Sequence, residues 1–326
     1  MILLTGGTGF IGSNVLAALG NQPVVVVDVL GNHEKWRNIT TCRFERLLHP
    51  AQLASFINSP AAEAINTVIH MGAISSTTER DADLIAAVNI TLPQDLWRWC
   101  AAKGVRFLYA SSASVYGDGS LGFSDDLNVE RLSQLRPLNP YAWSKLAFDR
   151  FVAHEVALGR PVPPQWAGLR FFNVYGPNET HKGSQQSVVP QFFRQIMETG
   201  SCRLFKSYRA GIEHGDQRRD FIHVDDCVNV LGWLYANPSV NGIFNVGSGV
   251  ASTFNTLANS VFTALGRPPA LEYIDMPEGL RPAYQYYTCA ELGRLKAAGY
   301  SAPMRSLNDG VGEYVNRYLA AGTAWR

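Results

Sequence analysis

Cysteine is scarce and unpaired in this chain: Cys42, Cys100, Cys202, Cys227 and Cys289 are scattered over 326 residues with no C-x-x-C among them. An odd, dispersed set supports neither a disulfide framework nor a zinc site. The seven histidines are dispersed too, without the paired spacing that metal ligation needs, so each reads as a core or surface residue and no metal is expected. An excess of charge of one sign is also missing. Lys and Arg number 28 against 27 Asp and Glu, a formal net charge of +1, which gives no long-range field to draw in nucleic acid and no basic cluster to settle on a membrane surface. No apolar run approaches the length that spans a bilayer, and there is no internal repeat or low-complexity linker. What remains, 46% hydrophobic and 17% charged residues, is ample for one large globular domain or two smaller ones. The expected partner is therefore a small molecule. A strand-like run begins at residue 2, which leaves no room for a signal peptide and makes the cytoplasm the expected compartment.

That run, Ile2-Leu3-Leu4-Thr5, leads into Gly6-Gly7-Thr8-Gly9-Phe10-Ile11-Gly12, glycines at G-x-x-G-x-x-G spacing. The pattern predicts strand, tight turn, helix, with backbone N–H groups free to approach a pyrophosphate and the last glycine letting the helix pack close to the sheet. A dinucleotide is the natural ligand. A second apolar run, Val24 to Val27, ends in Asp28, sixteen residues past Gly12, where a carboxylate meets adenosine ribose hydroxyls or, more plainly, begins a turn. In the polar stretch Leu30 to Arg37, Lys35 and Arg37 read either as a 2′-phosphate site or as two solvated loop cations.

Further along, Thr67 to Met71 is a third strand running into the small residues Gly72-Ala73-Ile74-Ser75, which let a cofactor come near. A helical region from about Asp81 to Lys103 holds Pro93 at a start or kink, and Asn89 is a polar residue in apolar surroundings that needs a hydrogen-bond partner. Arg106 to Ala110 is a strand ending at Ser111-Ser112-Ala113-Ser114-Val115-Tyr116-Gly117, hydroxyls at the edge where open α/β sheets bind ligands. After Pro140, Tyr141 and Lys145 stand four apart on one helical face. A phenol near pKa ~10 is a poor base unless a neighbouring ammonium favours the phenolate, a part Lys145 can fill; the other reading is a surface pair. Gln165 to Phe172 reads as a strand, and the polar stretch Asn173 to Ser184 as a substrate lid. A helix from Val188 to Glu198 precedes Leu204-Phe205 and a loop to Arg219. Arg218 and Arg219 suit a diphosphate or are a solvated basic pair. Asp225 is expected to cap a helix to about Asn237, followed by a strand Ile243 to Val246, a helix Phe254 to Leu265, the segments Glu272 to Ile274 and Tyr284 to Tyr287, and a last helix Leu307 to Leu319. The expected fold is α/β, a Rossmann-like doubly wound parallel sheet with a smaller α/β substrate-binding domain. Residues 1–172 and about 218–246 are assigned to the first, about 173–217 and 247–326 to the second.

Four features in one order, Gly6 to Gly12, Asp28, Ser112 in S-S-A-S-V-Y-G, and Tyr141 with Lys145, resemble the extended short-chain dehydrogenase/reductase family over nearly the whole chain. Phe171 to Pro177, then His181-Lys182-Gly183-Ser184, Leu204 to Ser207, Arg218 to Phe221, Ser75 to Glu79 and Ala283 to Gln285 are similar to the branch of that family that epimerises an ADP-linked heptose at C6 in lipopolysaccharide core synthesis. The resemblance implies Ser112, Tyr141 and Lys145 as a catalytic triad and Lys182 as a second acid/base. It implies NADP rather than NAD, held by Gly6, Gly9, Phe10, Ile11, Gly12, Asp28, Val29, Lys35, Met71, Gly72, Ala73, Ile74, Ser75, Asn89, Tyr141, Lys145 and Lys182. Ser112, Asn173, Ser184, Gln191, Phe205, Lys206, Ser207, Tyr208, Arg219 and Tyr284 would line the nucleotide-sugar site, in a homo-oligomer that the resemblance makes a pentamer. Three positions depart from the branch: Gln191 stands where a histidine is common, Val29 where a polar residue is, and the Tyr208 to Gln217 loop is long. Ala113-Ser114 replaces the Asp-Glu pair of 4,6-dehydratases, whose elimination needs that acid. The rival readings are a UDP-hexose 4-epimerase or reductase using Tyr141 alone and, from another class, a non-catalytic dinucleotide sensor.

Overall fold

The computed structural model describes the chain from Met1 to Arg326 except His33, in the polar stretch after Asp28, and the side chains of Pro282 and Ala283. Seven strands form one sheet in the order β10-β6-β5-β4-β1-β2-β3, every neighbouring pair parallel. They are β1 (Ile2–Thr5), β2 (Val24–Val27), β3 (Arg46–Leu48), β4 (Thr67–His70), β5 (Arg106–Ser112), β6 (Trp166–Phe171) and β10 (Gly242–Val246). Continuous apolar runs make these strands because helices cover both faces of a parallel sheet. On one face Leu4, Val26, Ile69, Leu108 and Leu169 pack with Val15 and Leu16 of helix α1 (Phe10–Leu19) and with Val230, Leu231 and Leu234 of the helix Val224–Ala236. On the other, Leu3, Val25, Val68, Phe107 and Tyr109 pack on Trp97 and Phe148.

A three-stranded sheet, β11 (Ala251–Thr253), β9 (Arg218–His223) and β7 (Asn173–Tyr175), and a parallel pair, β8 (Cys202–Phe205) with β12 (Leu271–Ile274), lie apart from the large sheet. Their core is Val189, Phe192, Leu257, Val261, Val311 and Tyr314, from the helices Val188–Thr199, Phe254–Ala264 and Leu307–Tyr314. Residues 218–223, grouped with the dinucleotide-binding part in the sequence reading, thus pair with β7 and β11 and not with the large sheet. Among the described residues no helix is long and apolar enough to cross a membrane.

The start or kink expected at Pro93 is there: Ala82–Ala86 and Leu92–Lys103 are α-helical, with a π-turn at Ala87–Thr91 between them and Pro93, whose missing N–H cannot continue the i→i−4 ladder, in the first turn of the second. Asp225 is not the cap of the Val224–Ala236 helix. The cap is His223, whose Nδ1 accepts from the Asp225 N–H at 3.2 Å, while the Asp225 carboxylate pairs with Arg305 and Arg326. The stretch Asn173 to Ser184, expected as a substrate lid, opens as β7, buries Asn178 and Glu179, and runs into the tight turn Thr180–Gln185.

Candidate active site

A cleft of about 520 Å³ runs along the C-terminal edge of the large sheet. At its floor Gly6 takes φ +68, with Gly72 N so close that a Cβ on Gly6 would sit 2.5 Å away, and a Cβ on Gly12 would land on the Gly6 carbonyl. Those two positions therefore require glycine. Helix α1 begins here with Gly9 as its N-cap and no side chain satisfying its first amides, which leaves N–H groups and the positive helix end for an anion. Asp28, at the end of β2, accepts from Thr8 N (2.9 Å) and Thr8 Oγ1 (2.6 Å) through one oxygen and from Val29 N (2.7 Å) and Lys35 Nζ (2.6 Å) through the other. Lys35 also donates to Val29 O. A cradle that forbids side chains, a bare helix end and a carboxylate at the tip of β2 fit a dinucleotide.

Gly6, Gly9, Phe10, Ile11, Gly12, Asp28, Lys35, Met71, Gly72, Ala73, Ile74 and Ser75 all line this cleft, as expected from the sequence. Val29 and Asn89 do not. The Val29 side chain is exposed and only its backbone serves the Asp28–Lys35 pair. Asn89 is buried behind the wall, where it holds both Ile74 N and Ile74 O at 2.9 Å and donates to Ser144 Oγ; the partner its polarity required is the cleft's own backbone.

Ser112, Tyr141, Lys145 and Lys182 line the same cleft. Burial pushes the Tyr141 phenol above its ordinary value, and hydrogen bonding with Ser112 works the other way. Lys145, one helical turn on, donates to Ala110 O at 2.8 Å, and burial lowers its pKa to about 8, with Asp149 opposing. This bond ties the ammonium, expected to supply part of the field that favours the phenolate, to the backbone of β5. Below it Asp149 accepts from Arg170 Nε (2.9 Å), Ser111 Oγ (2.9 Å) and Tyr109 OH (3.2 Å), a fully buried knot beside Ser112. Lys182 comes from the Thr180–Gln185 turn, its Nζ 5.5 Å from the centre of the Phe10 ring; burial lowers its pKa and Glu179 opposes.

Of the residues assigned to the nucleotide sugar, only Ser112 lines this cleft. Asn173 and Ser184 are exposed nearby in sequence to Lys182, and the Gln191 amide is held by Gln186 O and Ser187 O. The rest gather on the smaller lobe. Phe205 closes β8; Lys206 and Tyr208 meet Asp275 at 3.2 and 2.7 Å, Ser207 N donates to His214, and Arg281 lies 3.9 Å above the Tyr208 ring. Arg219 is buried, its guanidinium 5.1 Å from the Tyr284 ring, and burial lowers its pKa while Tyr284 opposes. His181, Gln185, Phe172 and Val174 also line the cleft and were quoted in no site list. His181 is held by Asn38 at 3.1 Å and lowered to about 4 by burial, then by Lys35 and Lys182. Gln185 reaches across to Ser76 Oγ at 2.6 Å. Phe172, Val174 and His181 stood in the motifs that carry the resemblance, and Gln185 directly follows one of them.

Residues 2–247 match the NAD dependent epimerase/dehydratase family. The chain belongs to that family. It is 46% identical over 325 residues to the ADP-L-glycero-D-manno-heptose-6-epimerase of Nitratidesulfovibrio vulgaris strain Hildenborough, with 98% of each chain covered. To the enzyme of the same name from Fusobacterium nucleatum it is 40% identical over 330 residues, again covering 98% of each. The crystal structure of the Helicobacter pylori ADP-L-glycero-D-manno-heptose-6-epimerase superposes with a TM-score of 0.76 at 25% identity, over 97% of this chain and 95% of that one. This family member is thus an isomerase of the epimerase type, with a nicotinamide dinucleotide as its family's cofactor.

Proposed function

We propose that the chain interconverts ADP-D-glycero- and ADP-L-glycero-D-manno-heptose by inverting C6, in the cytoplasmic assembly of lipopolysaccharide core heptose. The observation that carries this reading is that Tyr141, from the helix Pro140–Ala157, and Lys182, from a turn that follows β7, line one cleft. A carbinol C–H is far too weak an acid to be deprotonated directly, so inversion needs a hydride removed and returned, which is the chemistry a bound nicotinamide supplies. Rotation about C5–C6 moves the C6 oxygen between the two epimers, and a proton-transferring group must lie within hydrogen-bond reach, or one water, of its target. Tyr141 serves one orientation and Lys182 the other. Ser112, in contact with the Tyr141 phenol, favours its ionised form, and Lys145, tied to Ala110 O, stands over the end of β5.

NADP is the better reading than NAD because Lys35 covers the Asp28 carboxylate, which otherwise repels a 2′-phosphate. Extraction of bound nucleotide tests this; NAD alone removes Lys35 from the site. Arg219, with Tyr284 and Tyr208 on the smaller lobe, would take the ADP part. The division into a dinucleotide-binding and a nucleotide-sugar-binding part, and a homo-oligomer, pentameric by resemblance, belong to the same reading. The deciding experiment is incubation of ADP-D-glycero-D-manno-heptose with the protein and NMR detection of its C6 epimer. Lys182→Met should lower that rate about a hundredfold or more with cofactor still bound, and Tyr141→Phe comparably. If Lys182→Met epimerises nearly normally while Tyr141→Phe is inactive, a one-group 4-epimerase mechanism replaces this one.

A further inference from the structure

Glu179 is a fully buried carboxylate three residues before Lys182. One of its oxygens accepts from Gly176 N (3.3 Å) and Ser187 Oγ (2.8 Å), the other from Ser187 N. Two of these partners are backbone N–H groups, which can only donate, and the third is a hydroxyl free to donate, so the set favours the anion against the burial that opposes it. Gly176 lies before the turn Thr180–Gln185 and Ser187 after it. The carboxylate therefore ties the two ends of the segment that carries Lys182, whose own N–H donates to Glu179 O at 3.0 Å. The tie sits where an anion is favoured, since Ser187 is the N-cap of the helix Val188–Thr199 and makes no side-chain cap bond of its own.

We propose that Glu179 is the positioning residue of Lys182: it holds the Thr180–Gln185 turn closed and supplies the buried negative charge that acts on the Lys182 ammonium. This rests on Lys182 being the second proton-transferring group. Among the described residues no ion pair of 4 Å or less joins the two, so the interaction acts through space in a site where burial weakens screening. Burial raises the pKa of Glu179 and lowers that of Lys182, and each opposes the shift of the other. Around them stand Tyr314, whose phenol is raised by burial and by Glu179, and Arg194 acting on Tyr314 from the neighbouring helix. On the cofactor side lie the Phe10 ring and His181, with Lys35 and Asp28 acting on that histidine.

The test reads ionisation rather than turnover. Competitive acylation followed by mass spectrometry across pH reports Lys182, with exposed Lys103 as the internal standard. Glu179→Gln should move the Lys182 midpoint down by roughly one pH unit and leave Lys103 in place. Ser187→Ala removes a donor but keeps the charge, and should leave the midpoint where it is. Because coupling between two ionisations is reciprocal, Lys182→Met should raise the Glu179 midpoint, followed by carbon NMR of glutamate-labelled protein, by a similar amount; this arm holds even where Glu179→Gln does not fold. A Lys182 midpoint unmoved in folded Glu179→Gln, a Ser187→Ala shift as large as that of Glu179→Gln, or a Glu179 midpoint unmoved in Lys182→Met overturns the proposal. Turnover of Lys182→Met judges the role of Lys182 separately.

Discussion

Replacing Lys145 by methionine should make the cofactor-free protein more stable at neutral pH while stopping its chemistry. Lys145 is only 6% exposed, and burial brings its pKa from 10.5 to about 8. A gap of roughly 2.5 pH units at about 1.36 kcal/mol each is about 3 kcal/mol required to keep the charge inside the fold. Against that stands the hydrogen bond to Ala110 O at 2.8 Å, which contributes about 1 kcal/mol. Lys145→Met should therefore gain about 2 kcal/mol near pH 7. The pH dependence fixes the sign. Between about 8 and 10.5 the unfolded chain still holds a lysine proton that the folded chain has released, so wild-type stability rises with pH through that window and the advantage of the variant disappears by its upper end. Urea denaturation of both proteins at several pH values across this range, with equal m-values, measures the difference directly. A variant less stable than wild type at neutral pH, or a difference that stays flat as the pH rises, refutes the reasoning.

Three further outcomes are expected. Asp149→Asn strands the Arg170 guanidinium, fully buried with its Nε on Asp149 at 2.9 Å, and should lower stability by about 3–5 kcal/mol; a loss below about 1 kcal/mol in chemical denaturation would mean that the pair is dispensable. Gly12→Ala puts a Cβ on the Gly6 carbonyl and should weaken binding of the reduced nicotinamide dinucleotide by roughly tenfold or more in a fluorescence titration, since the turn must open to accept it. Arg219→Ala should weaken an ADP-sugar by about 2 kcal/mol while leaving the cofactor unaffected; unchanged affinity for the ADP-sugar by calorimetry makes Arg219 a packing residue between Tyr284 and Phe254.

The dinucleotide half was readable because its signals are local. Val24 to Val27 are each at most 2% exposed, so a parallel strand covered on both faces writes itself as an unbroken apolar run. Gly6 to Gly12 and the Tyr141–Lys145 pair likewise carry their geometry in their spacing. The burial around Lys182 was not legible for the opposite reason. Asn173 to Ser184 is polar by composition, and polar stretches read as solvated, yet Asn178 is buried at φ 75 with its amide on Ser13 Oγ, and Glu179 is buried against Ser187. Partners that decide burial lay 165 and 8 residues away, beyond any periodicity. The cap at His223 was missed by two positions because histidine, using Nδ1, filled a place usually given to Asp, Ser, Thr or Asn.

Both lysines of the cleft share one construction, and it explains why burial has not silenced them. Each is pushed toward neutrality by enclosure, and each has a buried carboxylate of its own: Asp149 one helical turn after Lys145, Glu179 three residues before Lys182. Neither carboxylate forms an ion pair with its lysine; Asp149 is occupied by Arg170, Ser111 and Tyr109, Glu179 by Gly176 and Ser187. A direct pair would hold the ammonium in one place and keep it fully charged. An anion fixed by other donors instead raises the lysine's pKa from a distance and leaves the ammonium's donors unclaimed by the carboxylate, so that Lys145 can bond Ala110 O. The pKa of each lysine, lowered by burial, is thereby raised partway back toward its ordinary value.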